Sequence, residues 1–261
     1  MTYLDAIVAH HRRRAEADQR SETDLYEQAC AAPPVRGFAS ALRKTQTGSM
    51  AVIAEIKRRS PSKGPLDANL DAARTAREYQ DAGASALSVL TDEPHFGGSS
   101  ADLIAARDAT DLPVLRKDFT VSLRDVFDAR IMGADCILLI AAALGSEELC
   151  RYAAAARDVG LDALVEIHGE AEIDVAIRAG TGLIGVNQRD LVTFGVDHER
   201  AVRVGGMLPA DVVRVAESGI RNGHDSERLR EAGYHAVLVG ESLVTSPRRG
   251  DLLAELRLAV R

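Results

Sequence analysis

Residues 51–64 read Ala51-Val52-Ile53-Ala54-Glu55-Ile56-Lys57-Arg58-Arg59-Ser60-Pro61-Ser62-Lys63-Gly64. The opening run is rich in strand formers, and period-two alternation sets Ile53, Glu55 and Lys57 on one face and Val52, Ala54 and Ile56 on the other. From Lys57 to Gly64 the chain becomes a basic loop closed by turn residues. An open doubly wound sheet would carry a glycine-rich dinucleotide loop after its first strand, and no G-x-G-x-x-G occurs here. Outward from this point, short β-rich segments near 51–57, 86–90, 113–116, 135–140, 162–166, 182–186, 212–216 and 235–239 alternate with longer amphipathic ones. Eight strands in this order predict an α/β fold, a (β/α)8 TIM barrel.

Several predicted strands follow a glycine placed where a helix must stop, as in Gly83-Ala84-Ser85, Gly133-Ala134-Asp135, Gly180-Thr181-Gly182 and Gly233-Tyr234-His235. Residues 1–49 precede the alternation and read as helices broken at Pro33-Pro34. The expected organisation is one domain over residues 1–261, with a helical extension (1–49) and a barrel (50–261). A chain of 261 residues suits a single barrel, and 46% apolar residues suffice for a large core.

A formal net charge of −7 offers no general attraction for nucleic acid. The basic run His11-Arg12-Arg13-Arg14 is followed by Glu16, Asp18, Glu22 and Asp24, and reads as a solvated helix face rather than a polyanion-binding arm. Cys30, Cys136 and Cys150 are too few and too scattered for a disulfide framework or a Cys-x-x-Cys metal site, so reduced thiols are expected. The longest apolar run, Cys136 to Leu144, is far short of the roughly 20 residues of a membrane-spanning helix. A cytoplasmic, membrane-independent protein is expected, a monomer, with a weak homo-dimer or a contact with a pathway enzyme as the alternative.

Barrel enzymes place their chemistry at the C-terminal ends of the strands. Alternation aims Glu55 and Lys57 of the first strand toward that mouth. It does the same for Lys117 in Leu115-Arg116-Lys117-Asp118-Phe119 and for Glu166 in Leu164-Val165-Glu166-Ile167. Asn187 and Arg189 in Gly185-Val186-Asn187-Gln188-Arg189-Asp190, and Glu217 in Val215-Ala216-Glu217-Ser218-Gly219, join them. A single Glu–Lys pair would read equally well as a structural ion pair. Convergence from five strands does not, because burying many ionisable groups is costly for stability. Mutual pairing also splits the pKa values of like groups, which acid–base catalysis requires. Glu217-Ser218-Gly219 and Val239-Gly240-Glu241-Ser242 put glycines where the seventh and eighth strands meet their loops, a common place for a phosphate site. A small phosphorylated substrate is predicted.

With these residues placed, the chain resembles the indole-3-glycerol phosphate synthase family from Arg36 to the last helix. The likeness rests on Ile53 to Ser62, on Leu115 to Phe119, and on Val165-Glu166-Ile167-His168. It extends to Asn187-Gln188-Arg189-Asp190-Leu191 and to Ala216-Glu217-Ser218-Gly219-Ile220, all in family order and spacing. The resemblance implies ring closure, decarboxylation and dehydration of 1-(2-carboxyphenylamino)-1-deoxyribulose 5-phosphate, with no metal or cofactor. It implies Lys117 as general acid at the sugar carbonyl, Lys57 at the substrate carboxylate and Glu166 as acid/base for the dehydration. Glu55 and Asn187 would orient these groups, with Glu217 and Ser218 beside the ring or a hydroxyl. Ser60, Pro61, Lys57, Arg189, Gly219, Gly240 and Glu241 would surround the phosphate, and Phe96, Phe119, Leu138 and Leu191 would wall the aromatic end.

Glu241 stands where many members of that family carry a small hydroxyl residue, and the expectation is that its side chain turns to solvent. Gln188 replaces a common asparagine, and Ser122-Leu123-Arg124-Asp125 diverges from the family's usual sequence. His168 reads as structural, since no second ligand stands at metal spacing. One rival is a barrel such as phosphoribosylanthranilate isomerase, which would use a cysteine/aspartate pair. The other is a catalytically silent phosphometabolite-binding barrel, which would have lost Lys117 or Glu166.

Overall fold

The computed structural model describes residues 2–45, 48–190 and 192–258. Eight parallel strands close into a barrel: β1 (Ala51–Ile56), β2 (Ala86–Leu90), β3 (Val114–Lys117), β4 (Cys136–Ile140), β5 (Asp162–Ile167), β6 (Leu183–Asn187), β7 (Val213–Glu217) and β8 (Ala236–Val239). The ring shuts where β1 meets β8, with Ala51 opposite Ala236 and Ala54 opposite Val239. All eight predicted strands are present, displaced by a residue at some ends. The left-handed φ of Gly133 (93°) and Gly233 (86°) fits the predicted helix-to-strand joints, a conformation that a Cβ would strain.

The alternation sorts the apolar residues into two cores. Ile53, Leu115, Leu138, Leu164, Val213, Val215 and Leu238 fill the barrel interior. Val52, Ala54, Val89, Leu139, Val165, Val186 and Val237 pack outward against the helices. Several of those helices start on a side chain accepting the N3 amide: Asp71, Ser99, Ser122 and Asn222 each cap one. Strand, capped helix and glycine stop therefore repeat around the ring, and every strand delivers its C-terminal residue to the same rim.

The N-terminal extension is built into both ends of the barrel. Helix α1 (Tyr3–Ala17) lies at the mouth, α2 (Glu22–Ala31) packs against helix Leu123–Ile131, and α3 (Phe38–Arg43) stops the floor. Phe38 and Leu42 of α3 are fully buried among the interior residues of the strands. Asp162, at the start of β5, accepts from the Ala39 amide at 2.8 Å, and Asp135 accepts from the Arg36 amide at 2.7 Å. Pro33 and Pro34 fall in the break between α2 and α3, as expected.

The basic run on α1 is only in part the solvated face that its charge predicts. Arg13 and Arg14 are exposed and Arg12 is half-buried, but His11 is buried, Arg12 makes a two-pronged pair with Glu148 at 2.9 Å on each arm, and Arg14 reaches Asp125 at 2.5 Å. The helix lies across the rim, so its inner face meets the helices that follow β3 and β4.

Candidate active site

The strand ends and their loops enclose one cavity of about 560 Å³ at the C-terminal mouth. Glu55, Lys57, Ser60, Pro61, Phe96, Lys117, Phe119, Leu138, Glu166, Asn187, Arg189, Glu217, Ser218, Gly219, Gly240 and Glu241 all line it. Leu191, expected on the aromatic wall, lies outside the described residues.

At the centre stands Lys117, whose Nζ lies 3.0 Å from Glu166 Oε2 and 2.6 Å from Glu217 Oε2. Asn187 donates to Glu166 Oε1 at 3.2 Å and in turn accepts the Arg189 amide at 3.0 Å, which fixes its orientation. Burial alone would lower the Lys117 pKa, but the carboxylates of Glu166, Glu217 and Glu55 outweigh it and hold the ammonium above its ordinary value. Burial would raise Glu166, yet Lys117 and then His168 keep it well below the usual carboxylate range. Glu217 responds differently. Burial pushes it up, Lys117 offsets only part of this, and neighbouring Glu166 adds to the rise, so it reaches about 7. Two carboxyl groups on one ammonium are thereby pushed in opposite directions, Glu166 down and Glu217 up.

A second pair stands toward β8. Lys57 Nζ lies 2.5 Å from Glu55 Oε1, and Ser88 on β2 donates to Glu55 Oε2 at 3.4 Å. Gly240 makes room for this pair, since a Cβ there would stand 2.3 Å from Glu55 Oε1 and 3.1 Å from Lys57 Nζ. Farther around the rim, Ser218 (φ 69°) and Gly219 (φ 75°) are consecutive left-handed residues at the end of β7. Successive amides in such a turn form a concave donor surface suited to an anion. Ser60, Ser62, Lys63 and Arg189 complete this end of the cavity.

The loop after β1 uses its charges in two ways. Arg58 is tied to Asp102 through both arms (2.5 and 2.7 Å), and Arg59 donates to the carbonyls of Pro94 and His95. A short antiparallel ladder, Arg59–Ser60 against Gly64–Pro65, braces the turn and was not evident in the sequence. Lys57 and Lys63 remain on the cavity wall. Glu241 keeps its side chain partly in solvent, as expected, but the carboxylate also stands on the cavity wall, 3.7 Å from Arg189 Nη2 and 3.9 Å from Lys63 Nζ on facing loops.

The opposite wall is apolar. Phe96 and Phe119 approach with ring centroids 6.2 Å apart, and Leu90, Leu138 and Ile140 lie beside them. Helix α1 adds Tyr3, Leu4 and Ile7, which sequence reasoning did not place in the site. The three-residue spacing of Leu4 and Ile7 was the available signal of a docked face. His168, read in the sequence as structural, does not line the cavity but stands behind Glu166. Its Nε2 lies 3.3 Å from Glu166 Oε1, and its Nδ1 lies 3.8 Å from Glu172 Oε2. Burial would lower its pKa, but Glu166 and Glu172 together raise it to about 9. Cys136 faces the closed interior, where burial pushes its thiol well up, so the site holds no cysteine acid–base partner.

The model of the family described as indole-3-glycerol phosphate synthase matches residues 4–256 of this chain. Indole-3-glycerol phosphate synthase 2 of Streptomyces coelicolor is 50% identical over 240 residues, covering 92% of this chain and 90% of the relative. Indole-3-glycerol phosphate synthase of Chloroherpeton thalassium is 44% identical over 251 residues, covering 95% and 96%. Among solved structures, N-acetylmannosamine-6-phosphate 2-epimerase from Clostridium perfringens superposes with a TM-score of 0.60 at 15% identity, covering 80% of this chain and 92% of that one. Thiamine phosphate pyrophosphorylase from Pyrococcus furiosus gives 0.58 at 16%, covering 79% and 93%. These two likenesses concern the fold alone. With a family match along nearly its whole length and relatives this similar, the chain belongs to the indole-3-glycerol phosphate synthase family.

Proposed function

We propose that Lys117, Glu166 and Glu217 carry the proton transfers of the reaction, with the substrate's aromatic end against Phe96 and Phe119 and its phosphate at the Gly219 and Gly240 loops. The reaction itself follows from the family: 1-(2-carboxyphenylamino)-1-deoxyribulose 5-phosphate becomes indole-3-glycerol phosphate, carbon dioxide and water, in tryptophan biosynthesis. The observation that carries the residue assignment is the Lys117 ammonium held between Glu166 and Glu217, at 3.0 and 2.6 Å, inside the cavity.

The chemistry needs an acid first. As the aromatic carbon attacks the sugar carbonyl, the oxygen gains negative charge, and an ammonium within reach supplies a proton. Lys117 is that donor. Lys57, drawn from Glu55, pairs with the carboxylate of the aromatic ring until carbon dioxide leaves. Dehydration then requires loss of a hydroxyl as water and removal of a proton from the indoline. Glu166, held as an anion, is suited to accept a proton, and Glu217, titrating near 7, to relay one. Asn187 holds Glu166 in place, and Ser218 approaches a sugar hydroxyl.

At the other end, Arg189 and Ser60 supply charge and hydrogen bonds to the phosphate, together with the Gly219 and Gly240 amides. Pro61 shapes that loop, and Glu241 is the residue the phosphate must displace from Arg189. The same reading makes the chain one domain, with α1 and α3 as parts of the barrel's two ends. It also makes the protein cytoplasmic, and a monomer unless it forms a weak homo-dimer or a contact with a pathway enzyme. The three cysteines are free, and no helix among the described residues is long and apolar enough to cross a membrane.

The direct test is turnover of the carboxyphenylamino substrate followed by indole absorbance and fluorescence, alongside rescue of a tryptophan-requiring host. Product formation without added metal is expected. No indole product from a folded protein would refute the assignment.

A further inference from the structure

A second cluster of metal-ligating side chains lies beside the cavity, between α1 and the loop after β2. His11 Nε2 lies 2.8 Å from Asp92 Oδ2, and His95 Nδ1 lies 3.0 Å from the same oxygen. One ligand atom from each of the three residues falls within 4.8 Å of the others. The Asp92 side chain is fully buried, His11 is 2% exposed, and His95 is open to solvent at 21%.

The arrangement is directed. Asp92 Oδ1 accepts the backbone amides of His95 and Phe96 at 2.7 and 3.1 Å, so the carboxylate is fixed and Oδ2 is presented to both rings. His11 has no hydrogen-bond partner on Nδ1 among the described residues, so its polar attachment is wholly on the Nε2 side. Asp118 Oδ1, 3.9 Å from that nitrogen, adds negative potential even though Arg116 pairs with its other oxygen at 2.8 Å. Tetrahedral zinc with bonds of about 2.0–2.1 Å spaces its ligand atoms about 3.3 Å apart, a few tenths of an ångström beyond the two contacts seen here.

We propose that His11, Asp92 and His95 bind a divalent ion of the zinc class, with the fourth position open to water on the His95 side. Two imidazoles and one carboxylate form a donor set that favours zinc or cobalt over magnesium or calcium. The site does not take part in the ring closure. Its ligands join α1, which lines the cavity with Tyr3, Leu4 and Ile7, to the loop that carries Phe96. A bound ion therefore fastens α1 over the cavity and slows its opening.

The test uses the full chain after chelator treatment, titrated with zinc by calorimetry and with cobalt by visible absorption. One equivalent is expected to bind in the micromolar range or tighter, with the spectrum of a four-coordinate nitrogen/oxygen site. Zinc should also slow amide exchange along α1. His95→Gln, at a partly exposed position of the short helix Glu93–Phe96, should weaken binding by about 100-fold, since even loss of an outer-shell partner costs 10–100-fold. His11→Gln should do the same, while Cys30→Ser and Cys150→Ser should leave binding unchanged. No binding, binding equally tight in both histidine variants, or binding abolished by either cysteine change would overturn the proposal. Because no substrate enters these measurements, their result is independent of the catalytic assignment.

Discussion

Gly185 and Glu217 occupy one space: a Cβ on Gly185 would stand 2.1 Å from Glu217 Oε1. The two lie on neighbouring strands, with Gly185 opposite Val215 and Asn187 opposite Glu217. The missing side chain on β6 is what lets the carboxylate of β7 reach Lys117. Gly185→Ala should therefore displace Glu217 and lower kcat by at least about tenfold, the effect of misplacing a proton-transfer group. Gly185 has no left-handed φ, so the fold should survive. Circular dichroism together with turnover checks both, and an unchanged kcat would show that Glu217 is not needed in that position.

Lys117→Met removes the ammonium and keeps similar volume. Turnover should fall by about 100-fold or more, the scale of a lost general acid. The two carboxyl groups that faced Lys117 cannot both remain ionised without it. The variant should therefore take up a proton on one of them at neutral pH, seen as a carboxylic-acid band in difference infrared spectra. Wild-type turnover in a folded variant would remove Lys117 from the acid role.

His168 gives a stability prediction with a definite sign. Its folded pKa is raised from 6.5 to about 9, so its stabilisation is fully present below pH 6.5 and is lost as pH rises toward 9. Wild-type Tm should fall across that window, and His168→Gln should flatten the decline. At about 2–4 °C per kcal/mol for a domain of this size, thermal melts at pH 6 and pH 9 resolve the difference. Equal slopes in the two proteins would mean that His168 is uncharged in the folded state.

Glu241 places a negative charge between Arg189 and Lys63, where the phosphate is proposed to bind. Glu241→Ser should lower KM by about three- to tenfold and leave kcat nearly unchanged, with the gain shrinking as salt screens the exposed charges. Steady-state kinetics at two ionic strengths measure this. A KM that does not move would locate the phosphate elsewhere on the rim.

Much of the site was legible because strand periodicity survives folding. Once Ile53, Leu115, Leu164 and Val215 are assigned inward, Glu55, Lys117, Glu166 and Glu217 must follow them two residues later, and all four line the cavity. His168 escaped this logic because its contact with Glu166 depends on the turn beyond β5. The α1 contacts escaped it because nothing local states which end of a barrel a preceding helix will cover. The approach of Glu241 to Lys63 and Arg189 escaped it for a related reason, since both cations are far away in sequence.

Periodicity, turn residues and helix stops by themselves determined eight strands, their inward faces and the rim at which the charged residues gather. They could do so because each is a local property of the backbone. Only the closed tertiary structure decided that Gly185 shelters Glu217, that Glu217 is pushed up while Glu166 is held down, and that His11 meets Asp92 and His95. Those outcomes depend on distances between strands and on how deeply charges are buried, which become definite when the ring closes.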